Sequence, residues 1–122
     1  MKLFVDDERP APRGWLHAQD CETALGLIRL VEDANYQLEA ISLDHDLGCT
    51  GETIMPLLME MNDYGYWPEK LYVHTANEDA EEVMLAFICA HAPEGTLRGY
   101  GCNFWGTGND SVIQNHVNQE LM

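Results

Sequence analysis

The sequence predicts an α/β domain built on a parallel sheet, and three observations predict it. Short, almost wholly apolar runs at Lys2–Val5, Leu38–Leu43 and Leu71–Val73 have the composition of strands buried on both faces. Between them lie stretches whose apolar residues recur at helical spacing. Each run then stops in a polar cluster: Asp6, Asp7 and Glu8 after the first, Asp44, His45 and Asp46 after the second, His74, Thr75 and Asn77 after the third.

The elements follow in order. After Lys2–Val5 comes a proline-broken loop from Arg9 to Gly14, too short for a helix, and then a Trp15–Gln19 segment that reads as a second strand. Asp20 caps a helix near Cys21–Ala34, whose apolar face is Ala24, Leu25, Leu27, Ile28 and Val31. Leu38–Leu43 is the next strand. A helix from Thr50 or Gly51 through Asn62 contains Pro56, which implies a kink or a late start. Gly65 and Pro68 mark a turn before Leu71–Val73. Asn77 caps a further helix, with Glu78, Asp79, Glu81 and Glu82 in its first turn, where the helix dipole favours acid, and Pro93 ends it. From Glu94 the chain is rich in glycine with Tyr100, Phe104 and Trp105 interleaved, and a last helix spans Asp110 or Ser111 to Glu120. The stretch from Gly99 to Gly106 lacks the flanking strand and helix of a phosphate-binding glycine loop, so it reads as an ordered loop packing Trp105 on the sheet.

The chain has 122 residues, the size of one domain, with a core of about residues 1–92 and an extension over about 93–122. The four cysteines, Cys21, Cys49, Cys89 and Cys102, are scattered with no CxxC pair, which suits reduced thiols in the cytoplasm better than a zinc site or disulfide framework. Neither a signal peptide nor a membrane helix is expected. Acidic residues number 21 against 6 basic, a formal net charge of −15. That charge excludes sequence-tolerant duplex nucleic-acid binding, which requires the opposite sign. It is compatible with a solvated surface, or with an acidic protein that occupies a basic groove on a partner. Met55, Met59 and Met61 read as fillers of core gaps or of a protein-contact surface.

In an open parallel sheet, ligands bind outside the carboxyl ends of the strands, where all three polar clusters lie. If Asp6, Asp7 and Asp44 converge to about 5 Å, each charged pair repels by roughly 3 kcal/mol at an effective dielectric near 20. Three such pairs rival the roughly 5–15 kcal/mol net stability of a domain. A divalent cation, a proton on one carboxylate, or a salt bridge from Arg9 or Arg13 would relieve the repulsion. Oxygen-only ligands suit Mg²⁺, with Mn²⁺ as the substitute. Cys49, with no activating base beside it, reads as structural. His45 and His74 stand at the same rim with a side chain that changes charge near neutral pH, and each is a candidate general acid or base. If strand geometry continues past Leu43, the His45 ring points away from the face shared by Asp44 and Asp46.

"FVDDERP" at Phe4–Pro10, "SLDHDLG" at Ser42–Gly48, "TG" at Thr50–Gly51 and "VHTAN" at Val73–Asn77 together resemble the cyclic-phosphate-processing receiver-like family, relatives of two-component receiver domains found near RNA-repair genes and in phage genomes. The similarity spans about Met1 to Ala92. It implies a receiver-like, flavodoxin-like sheet whose first helix is missing or replaced by a loop. By resemblance Asp6 and Asp7 bind Mg²⁺, Asp44 stands where receivers accept phosphoryl, and Thr75 contacts the phosphoryl group.

Two departures bear on function. No lysine occurs after Lys70, where receivers use one after the fifth strand; Arg98 is the later cation. His45 and His74 add groups a phosphorelay does not need. The expectation is therefore a metal-dependent phosphoesterase acting on a cyclic nucleotide or a short 2',3'-cyclic phosphate RNA end. In it Asp6, Asp7, Asp44 and Asp46 hold or support the ion, and His74, His45 and Asp44 are catalytic. Thr75, Asn77 and Arg9 bind substrate. The alternatives are a non-enzymatic acidic binding protein, such as a phage-encoded inhibitor or nucleic-acid mimic with a basic protein partner, and, less favoured, a phosphoacceptor receiver.

Overall fold

The computed structural model describes residues 1–47, 52–75 and 77–100. Strands β1 (Lys2–Val5), β2 (Leu16–Ala18), β3 (Ala40–Leu43), β6 (Lys70–Val73) and β7 (Leu97–Tyr100) form one sheet in the order β2-β1-β3-β6-β7, with every pairing parallel. This is the flavodoxin-like order. Helices α1 (Cys21–Asp33), α2 (Met55–Tyr64) and α3 (Glu78–His91) make the crossovers, and a two-residue hairpin of β4 (Asp46–Leu47) and β5 (Glu52–Thr53) follows β3.

Strand alternation divides the sheet's side chains between two faces. Leu3, Val5, Ile41, Leu43, Leu71 and Val73 pack with Ala24 and Ile28 of α1, Leu57, Leu58 and Met61 of α2, and Met84 and Ile88 of α3. All three helices among the described residues thus cover one face. The reason is topological: β2 to β3, β3 to β6 and β6 to β7 all step the same way along the sheet, and right-handed crossovers in one direction land on one side. The single reverse step, β1 to β2, is made by the proline-containing loop. Ala11 and Trp15 from that loop pack against Phe4, Ala40 and Tyr72 on the opposite face.

Local chemistry sets the helix ends as expected. Asp20 accepts from Thr23 N at 2.7 Å and Asn77 from Ala80 N at 3.1 Å, each satisfying an orphan donor of the first turn. The helix expected from Thr50 or Gly51 starts at Met55 instead, with Pro56 in its first turn, where the missing N–H costs nothing. Of its methionines, Met61 is core, Met55 borders the core and Met59 is exposed. Cys21 Sγ donates to Thr53 O, and burial pushes its thiol up to about 12, so it is inert.

The largest departure is β7. Leu97–Tyr100 was expected within a glycine-rich extension, yet it is the fifth strand, with a register shift beside Tyr72 that leaves Arg98 as the extra residue. A short strand containing Arg98 and Gly99 has too few apolar residues to signal itself. Thr50, Gly51, Cys49, Cys102, Phe104, Trp105 and the last helix lie outside the described residues. Among the described residues no helix is long and apolar enough to cross a membrane.

Gly65 ends α2 at φ 73, and a Cβ there would meet nothing within 4 Å. Its requirement is therefore conformational. Gly65→Ala is expected to cost about 1 kcal/mol in a denaturant melt, through left-handed strain alone; an unchanged midpoint would show that the turn relaxes.

Candidate functional site

The register that pairs Phe4 with Ser42 and Ser42 with Tyr72, continued two residues past each pairing, brings Asp6, Asp44 and His74 into one row at the carboxyl edge. Backbone bonds hold that row: Asp44 N to Val5 O at 3.0 Å, His74 N to Leu43 O at 2.9 Å, and Asp6 N to Ala18 O at 3.0 Å. The chain leaves β1 toward one edge of the sheet and β3 toward the other, which opens a crevice between their ends. There Asp6, Asp7 and Asp44 each offer a carboxylate oxygen, all within 4.8 Å of one another. The predicted convergence of the three acids is observed.

Asp6 is buried, with 1 % of its surface exposed. Its Oδ1 accepts from Glu8 N at 2.8 Å and Arg9 N at 2.9 Å, and its Oδ2 lies 3.0 Å from His74 Nε2. Burial pushes the carboxyl up, but the bonds from His74, Arg9 and Glu8 together outweigh it and hold Asp6 below the usual carboxylate range. Burial pushes His74 the other way, below its ordinary value, so the pair is a neutral imidazole on an ionised carboxylate. With Asp6 an acceptor, Nε2 carries the proton and Nδ1 accepts from Ser42 Oγ at 2.7 Å. Phe4 stacks on the ring, centroids 4.4 Å apart and 7° from parallel.

Asp44 is half-buried beside Asp6. Burial first, then the negative charge of Asp6, pushes its carboxyl up to about 6, against the pull of His45 N, the Thr75 hydroxyl and the Arg9 charge. Protein groups alone thus leave one of the three carboxyls able to hold a proton near neutral pH.

The remaining site candidates fall in different places. His74 was expected to exchange protons with a substrate. It is 0 % exposed, with Nε2 on Asp6 and Nδ1 on Ser42, so neither nitrogen faces the crevice. His45 differs: strand geometry stops at Leu43, the chain turns, and its ring Nδ1 lies 2.9 Å from Asp46 Oδ1. Asp46 is exposed and lies outside the three-carboxylate group, with its carboxylate against His45. Thr75 is buried against Asp44 and accepts from Asn77 N at 3.2 Å. The Asn77 carbonyl is committed to its cap. Arg9 donates from Nη1 to His74 O at 2.7 Å, within the field of Asp44 but without an ion pair to a carboxylate among the described residues. Two participants were not anticipated. Ser42, a lone hydroxyl in an apolar strand, shares the alternation of His74; His17, on β2, places Nε2 2.6 Å from Asp6 O.

The donor set is three carboxylates with no sulfur or imidazole, which fits a hard divalent cation such as Mg²⁺. The raised Asp44 carboxyl has a measurable consequence. Its contribution to stability is present below about pH 4 and lost as pH rises through about 6. In chelator-treated protein, the stability advantage of Asp44→Asn over wild type should therefore be about 2 kcal/mol larger near about pH 7.5 than near about pH 4.5. Denaturant melts at the two pH values test this, and a difference that does not change with pH would contradict it.

Compared with known proteins, the chain matches no curated protein and no solved structure. Residues 1–90 match the family model described as the cyclic-phosphate processing receiver domain. That match covers the three acids, β1 to β6 and all but the last residue of the Asn77-capped helix. The chain belongs to the cyclic-phosphate processing receiver domain family.

Proposed function

We propose that the protein is a metal-dependent phosphoesterase that opens a cyclic phosphate, and the observation carrying this reading is the approach of Asp6, Asp7 and Asp44 to within 4.8 Å. Asp6, Asp7 and Asp44 would hold Mg²⁺ or Mn²⁺, each through a carboxylate oxygen. When bound, the ion supplies positive charge that polarises a phosphate oxygen and offsets the mutual repulsion of the acids. Ring opening adds water across one P–O bond of the cyclic diester and yields a monoester.

His45 suits the proton transfers better than His74. Nδ1–H bonded to Asp46 leaves Nε2 as the acceptor, free among the described residues to take a proton from water and return it to the leaving oxygen. Thr75 keeps Asp44 oriented, and Arg9 adds fixed positive charge beside the acids. A net charge of −15 repels a long polyanion at a distance, which favours a cyclic mononucleotide or a short cyclic-ended RNA as substrate. No lysine follows Lys70 to hold a stable phosphoryl group, which disfavours a phosphoacceptor role.

The test is a hydrolysis screen over 2',3'- and 3',5'-cyclic mononucleotides and short cyclic-ended RNAs with Mg²⁺ or Mn²⁺, followed by phosphorus NMR. Asp7→Asn and Asp44→Asn should abolish turnover, and His45→Ala should lower kcat by about 10²–10⁴-fold. No turnover of any cyclic phosphate with either metal would defeat the proposal. Turnover undiminished in His45→Ala would remove that residue from the chemistry.

A further inference from the structure

A carboxylate offers about four lone-pair sites. Asp6 has already committed three: two on Oδ1 to Glu8 N and Arg9 N, and one on Oδ2 to His74. Among the described residues one remains, on the same oxygen that His74 holds. We infer that Ser42 and His74 are positioning residues that direct this last Oδ2 lone pair toward Asp7 and Asp44, making Asp6 a one-oxygen ligand and favouring Mg²⁺ or Mn²⁺ over Ca²⁺. The inference rests on the metal-dependent reading above.

Geometry supports each link. Ser42 Oγ, 2.7 Å from Nδ1, fixes which nitrogen carries the proton, and the Phe4 ring lying flat at 4.4 Å opposes rotation of the imidazole. Ser42 and His74 have no exposed surface, so solvent cannot replace either bond. A carboxylate confined to one free lone pair cannot chelate with both oxygens. Ca²⁺ takes six to eight oxygen ligands and readily gathers them through carboxylates bound by both oxygens, whereas Mg²⁺ takes an octahedral set of single oxygens and waters. The buried side chains would therefore act on selectivity through Asp6, without touching the ion.

The experiment is calorimetric titration of the full chain with Mn²⁺ and with Ca²⁺, comparing wild type, Ser42→Ala, His74→Leu and His74→Gln, each checked by thermal melting. His74→Leu should weaken Mn²⁺ binding by about 10–100-fold and Ca²⁺ binding by less, with Ser42→Ala shifting the ratio in the same direction. His74→Gln keeps an N–H for Oδ2 and should recover Mn²⁺ affinity to within about threefold of wild type. If His74→Leu proves unfolded, Ser42→Ala and His74→Gln decide by the same ratio. A Mn²⁺/Ca²⁺ ratio unchanged in the folded variants overturns the positioning role. Wild type that binds neither ion instead removes the metal-dependent reading itself.

Discussion

Repulsion among three carboxylates is the constraint around which this domain is organised. At 4.8 Å or less each charged pair costs roughly 3 kcal/mol at an effective dielectric near 20, so full ionisation without a counter-charge would consume much of a small domain's stability. The fold meets the problem unequally. Asp6 is locked in the ionised form by three hydrogen bonds, and Asp44 takes up the strain as a readily protonated acid. An arrangement that only needed solubility would have spread its acids apart. Two neighbouring strands that deliver theirs to one gap create a place where a cation is energetically welcome.

Topology explains why the gap lies where it does. The direction of chain travel reverses between β1 and β3, and the carboxylates sit at that reversal. Because the reverse step is a loop, the backbone N–H groups of Glu8 and Arg9 turn inward onto Asp6 instead of entering a strand or helix ladder. The same loop brings the Arg9 guanidinium to the His74 carbonyl, linking the ends of β1 and β6 across β3. Membership of the cyclic-phosphate processing receiver family gives this geometry a chemical context, while the identity of its acids and imidazoles shapes the proposed reaction.

Much of this was legible in the residues. Apolar runs ending in polar clusters located β1, β3 and β6 and their shared rim, and the Asp20 and Asn77 caps located two helix starts. What escaped reading did so for physical reasons. β7 is short and carries a bulge, so its backbone pairing decides its conformation more than its apolar content does. The role of His74 depends on depth, which residue type alone does not reveal. Alternation did hold the information: Phe4, Ser42 and Tyr72 are even-numbered positions on strands paired by even offsets, hence on one face, and Asp6, Asp44 and His74 follow two residues on, just past the strand ends. Ser42 was passed over because a hydroxyl within an apolar strand announces no partner until the register is known. Alternation says nothing of the His45 ring, because strand geometry ends at Leu43.

The proline-bearing link between the first two strands serves two masters. Ala11 and Trp15 pack over Phe4 and Tyr72 on the sheet face opposite α1, α2 and α3, while Glu8 and Arg9 a few positions earlier wall the anionic crevice. Lengthening or trimming this link would alter enclosure and recognition simultaneously. A helix at the same place could be remodelled one turn at a time; this segment has no such modular slack.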